Sequence, residues 1–163
     1  MSANASAVLS SAPDAVFGVL TDPTRLPEWN EAITRVLDRP AELVPGSEWV
    51  VEMHALGQSW LSRARLEVLD PETGRFVYRA CTDDGNPSYA HWEWTVSEDP
   101  AGSRVTVSWE LHPLTFWRRV LLVRIRARQL RTEVPKSLRA LGVAAAGPRS
   151  VVHTGQAAQP ASS

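Results

Sequence analysis

The chain has 163 residues, 44% of them hydrophobic, and its 17 basic and 18 acidic side chains leave a net charge of −1. That length suits one domain with a sizeable core, and near-neutrality argues against a chain built chiefly to grip nucleic acid or an anionic lipid surface. No run of about 18 apolar residues occurs, so no membrane-spanning helix is expected, and the opening Met-Ser-Ala-Asn-Ala-Ser lacks the basic-then-apolar layout of a signal peptide.

In chain order, a short first strand runs into two small helices broken at Pro23, the second ending at Trp29. Six strands are expected to follow, and period-two alternation assigns faces in five of them. In Glu48 to Leu56 the apolar set is Trp49, Val51, Met53 and Ala55, against Glu48, Glu52 and His54. In Trp60 to Leu69 the inward set is Trp60, Ser62, Ala64, Leu66 and Val68, against Arg63, Arg65 and Glu67. Phe76, Tyr78, Ala80 and Thr82 then oppose Val77, Arg79 and Cys81. Trp92, Trp94 and Val96 oppose His91, Glu93 and Thr95, and Val105, Val107, Trp109 and Leu111 oppose Thr106, Ser108, Glu110 and His112. Pro- and Gly-bearing turns such as Pro71-Glu-Thr-Gly74 and Glu98-Asp-Pro-Ala-Gly102 separate these runs.

A helical pattern closes the domain from about Leu114 to Leu141. Phe116, Val120, Val123, Ala127, Leu130, Val134, Leu138 and Leu141 form one apolar stripe, which Trp117, Leu121 and Ile125 widen. Pro135 is expected to kink or split this helix. Its polar face is dense in arginine, with Glu133 as a single acid, and reads as solvated. Residues 1–146 are therefore expected to form a single domain, and 147–163, rich in Ala, Gly, Pro, Ser and Gln, a disordered tail.

The order strand, two short helices, six strands and long helix is that of an α+β helix-grip fold, a curved antiparallel sheet of about seven strands around one helix and a cavity. Ala-Pro-Asp-Ala-Val-Phe at 12–17, Leu-Pro-Glu-Trp at 26–29, Pro45-Gly46-Ser47-Glu48-Trp49, and Leu69-Asp70-Pro71 leading to Arg75-Phe76-Val77-Tyr78 resemble the START-like (SRPBCC) superfamily. This is the group of polyketide cyclase/dehydrase and lipid-transport proteins, and the resemblance covers Ser6 to Leu141. It implies an internal cavity for a hydrophobic, aromatic or polyketide-like small molecule. The activity it implies is cyclisation, dehydration or a related tailoring step. Non-catalytic lipid or metabolite carriers and sensors, and co-chaperone-like interaction domains, also occur in the superfamily.

Five tryptophans, Trp49, Trp60, Trp92, Trp94 and Trp109, fall on the inward face, either as flat walls for a ligand or as core packed on the last helix. Trp29 stands where such a fold has its cavity mouth, as lining or as plug. Met53 and Leu121 complete the apolar candidates. Tyr78, Ser62 and Thr82 are the inward polar groups, placed to hydrogen-bond a ligand carbonyl or move a proton, or else bonded to backbone. Arg124 or Arg128 on the helix edge would polarise a carbonyl or hold a carboxylate. His54, Arg79, His91, Glu93, Glu110 and His112 lie outward by parity, with charge pairs across strands the expected role. A β-bulge would reverse that parity, and His91, after the irregular Asn86-Pro87-Ser88-Tyr89, is the candidate for it, as a general base.

Four scattered histidines and one cysteine give no metal-ligand spacing, and no phosphate-binding glycine loop appears, so neither metal nor cofactor is expected. The lone Cys81 excludes an internal disulfide and fits a reducing, cytoplasmic setting. The strands lack the basic-aromatic interleaving of a nucleic-acid platform, so no nucleic-acid partner is expected. Leu61 and Val77 on the outward face offer a contact for a homodimer.

Overall fold

The computed structural model describes residues 2–115 and 123–147. Seven antiparallel strands, β1 (Ser2–Leu9), β2 (Ile33–Asp38), β3 (Glu48–Ala55), β4 (Gln58–Asp70), β5 (Arg75–Thr82), β6 (Tyr89–Asp99) and β7 (Gly102–His112), form one sheet in the order β1-β7-β6-β5-β4-β3-β2. Between β1 and β2 lie α1 (Pro13–Leu20), a short 3-10 turn (Pro23–Arg25) and α2 (Leu26–Trp29), and α3 (Val123–Ala146) crosses the inner face. This is the helix-grip fold.

Local chemistry explains the helical segment. Pro13 and Pro27 occupy first-turn positions, where a missing N–H costs nothing. The Thr21 hydroxyl and N–H both donate to the Phe17 carbonyl and end α1. The Asp22 carboxylate accepts from the Thr24 N–H at 2.9 Å and opens the next turn. Arg25 then donates to the Ala144 carbonyl at 3.1 Å, tying this segment to the end of α3.

Three expectations change. The pairing of β4 with β5 skips Glu67: Leu66 faces Tyr78, but Val68 faces Val77 and Leu69 faces Phe76. This bulge turns Val68 outward and brings Leu69 onto the core, so parity past Leu66 reverses. Leu114 is not helical, residues 116–122 lie outside the described part, and α3 runs on past Leu141 to Ala146. Phe116, Trp117, Val120 and Leu121, and the tail from 148 to 163, therefore fall outside the described residues. Finally, of the kink or split expected at Pro135, the split does not occur: the helical assignment of α3 continues through it. The carbonyl that loses its N–H partner belongs to Arg131, and both residues are exposed.

The core joins Val16, Leu20, Trp29, Leu66, Trp94, Val105 and Val107 to the α3 stripe Leu130, Val134, Leu138 and Leu141. The outer face carries ion pairs, Arg75–Glu93 at 2.9 Å, Arg63–Asp83 at 2.9 Å and Arg79–Glu67, and His91 lies within hydrogen-bond distance of the same Glu67. Val77 is buried on this outer face, paired with Val68 and Glu93, and offers no dimer contact; Leu61 is exposed.

Candidate functional site

Side-chain size along the strand register decides where the sheet is hollow. One inward row crosses the strands as Leu66, Tyr78, Trp92 and Trp109. The next is Trp49, Ala64, Ala80, Ala90 and Leu111, and the one beyond begins Val51, Ser62 and Thr82. Large rings in one row and small side chains in the next two leave space above the middle strands. The backbone of α3 meanwhile approaches α1, α2, β1 and β7. The result is a cavity of about 450 Å³, within the roughly 300–1,000 Å³ usual for small-molecule sites.

Aromatic rings form its deeper wall. Tyr78 meets Trp49 edge-on at 5.3 Å between centroids, tilts on Phe76 at 5.2 Å, and lies near-parallel to Trp92 at 6.4 Å. Trp94 lies near-parallel to Trp92 at 6.4 Å and takes Trp29 edge-on at 5.4 Å. Trp29, the last residue of α2, is a buried part of the lining with its indole N–H unpartnered. Leu56 and Ile125 stand exposed where the cavity opens.

Tyr78 is the chemically distinct member of this wall. Burial pushes its phenol up to about 12, and the nearby Trp94 indole slightly opposes the effect. That indole N–H approaches the phenol oxygen without forming a full hydrogen bond. What surface Tyr78 keeps is turned to the cavity it lines. The group is therefore a protonated hydroxyl with little water around it, a donor rather than a base.

Of the other residues singled out from sequence, Trp49, Met53, Trp60, Ser62, Thr82, Trp92 and Trp94 also line the cavity. The Thr82 hydroxyl donates to Asp84 at 2.8 Å. Trp109 does not line it; it is buried behind Trp92, with centroids 5.8 Å apart. His91 lies on the outer face, its Nε2 3.2 Å from Glu67. The bulge that would have turned it inward falls in β4, while β5 and β6 pair without a break from Arg75–Thr95 to Cys81–Tyr89. Arg124 and Arg128 are exposed and point away from the cavity.

Sequence reasoning missed Arg126, Gln129 and Glu133 of α3. All three border the cavity. Arg126 donates to Glu133 at 3.1 Å, and the Gln129 amide donates to the other carboxylate oxygen at 2.5 Å. Steps of three and four place them on one helix face, and Glu133 as the sole acid among arginines was the available signal.

The profile of the polyketide cyclase / dehydrase and lipid transport family matches residues 2–145. The chain belongs to this family. Among solved structures, protein CV1439 from Chromobacterium violaceum superposes with a TM-score of 0.70 at 23% identity, over 88% of this chain and 96% of that one. The Zhui aromatase/cyclase from Streptomyces sp. R1128 gives 0.69 at 14% identity, over 90% and 93%. StfQ, a di-domain aromatase/cyclase from the steffimycin biosynthetic pathway, gives 0.72 at 12% identity, over 89% of this chain and 50% of that one. No curated protein matches the chain. Likeness at such identities concerns the fold. No helix among the described residues is long and apolar enough to cross a membrane.

Proposed function

We propose that this member of the family binds a hydrophobic, aromatic or polyketide-like molecule in the cavity and catalyses its cyclisation, dehydration or a related tailoring step. The observation that carries this reading is Tyr78, a phenol held protonated within an aromatic wall of the cavity. Flat rings orient a planar substrate and exclude water. The Tyr78 hydroxyl donates a hydrogen bond to a substrate carbonyl and polarises it, so that when a nucleophilic carbon of the same substrate adds and the C=O π bond breaks, the electron pair that moves onto the oxygen is stabilised. Ser62 supplies a second hydroxyl along the same sheet.

Tyr78→Phe tests it. The ring is kept, so stability changes by about 1 kcal/mol or less, while turnover of an accepted substrate falls on the order of 10²-fold. Steady-state rates beside thermal melts read both; an unchanged rate removes Tyr78 from the mechanism.

A carrier is the second reading, and one observation favours it: the charged groups Arg126 and Glu133 are already paired with each other. Native mass spectrometry of ligands before and after incubation separates the two, since a carrier returns its ligand unaltered.

A further inference from the structure

Arg126, Gln129 and Glu133 form a closed polar set at the α3 side of the cavity. Both oxygens of the Glu133 carboxylate are engaged, one by the Arg126 guanidinium and one by the Gln129 amide. Their side chains are only 28% and 17% exposed for Arg126 and Glu133, so the pair is partly withdrawn from solvent. Arg126, the one arginine or lysine among the described lining residues, is thus already paired from within the chain. The described lining residues include two carboxylates, Glu133, paired with Arg126, and the exposed Asp84.

We infer that Glu133 sets the ligand specificity of this cavity: it holds Arg126 in an internal pair, so the site admits neutral, oxygen-bearing aromatic molecules and turns away carboxylates. This rests on the ligand-binding reading above. An entering carboxylate meets like charge in a low-dielectric space, and to reach Arg126 it must displace Glu133 and leave that carboxylate unpaired. A ketone or phenol incurs neither cost. It finds a donor in the Tyr78 hydroxyl on the sheet.

The test uses two probes of the same size, 2-acetonaphthone and 2-naphthoate, titrated at neutral pH against tryptophan emission of the full chain. The wild-type protein is expected to bind the ketone at least about tenfold more tightly than the carboxylate. In Glu133→Gln, Arg126 is freed; the carboxylate should gain about tenfold while the ketone stays within about twofold. Adding Arg126→Gln to that variant should cancel the gain, which a merely structural role for Glu133 would not predict. Equal affinities in the wild-type protein, or a carboxylate that gains nothing in Glu133→Gln, overturn the specificity role and leave cavity binding standing. Binding of neither probe overturns the ligand-binding reading itself, and this inference with it. The wild-type comparison requires no variant, so a folding defect cannot shelter the claim.

Discussion

Burial against Trp49, Phe76 and Trp92 disfavours the phenolate, which is why Tyr78 is pushed up to about 12 from the usual value near 10. The fold favours the neutral form, so this group's contribution to stability is complete below about pH 10 and disappears as pH rises through about 12. Melting temperatures across that window should fall more steeply for the wild-type protein than for Tyr78→Phe. Parallel curves would show that Tyr78 does not titrate with folding. The inward direction of Tyr78 was legible from alternation alone; alternation also put His91 outward, and the bulge expected to reverse it there does not occur in β6. The neighbours that set Tyr78's acidity were not, because Trp49 reaches it across the intervening β4, from a strand with which β5 does not pair.

At the scale of elements, alternation assigns faces but not register, and the hollow is a property of register. Ala64, Ala80 and Ala90 are unremarkable in three separate strands; aligned side by side they are the space above the sheet. Ala80→Leu should therefore fill the cavity, weakening ligand binding by at least about tenfold with the fold retained. Near-UV circular dichroism beside a binding titration checks both halves, and undiminished binding would place the ligand elsewhere. The bulge at Glu67 was invisible for the same reason: one extra residue leaves no compositional mark, yet it exchanges Val68 for Leu69 on the core. In α3 the apolar stripe was legible and its cavity-facing polar residues were not. Helical amphipathicity assumes water on the polar side, whereas Arg126, Gln129 and Glu133 border the cavity.

For the molecule as a whole, the sheet and α3 border a space that the described residues do not fill. Its walls lack the contacts a solid core would give, and a ligand of the right chemistry supplies them. At a ligand concentration of about 100 times Kd, the folded state gains roughly 2.7 kcal/mol, which for a chain of this length raises Tm by about 5–10 °C. Thermal melts with graded ligand should show that rise; a Tm indifferent to a ligand that demonstrably binds would mean that it binds the unfolded chain equally well. The family-level architecture was readable because turn residues and the order of elements survive without any knowledge of packing. The ligand chemistry was not, since it depends on which side chains meet across the hollow.

Centroid separations of 5.4–6.4 Å connect Trp29, Trp94, Trp92 and Trp109 in an unbroken chain of indole neighbours. At such spacing an absorbed photon does not stay with the ring that captured it; excitation hops among the set before emission. The wall is in effect a single antenna. A quencher resting against any one ring should dim the whole group together and leave its remaining emission strongly depolarised.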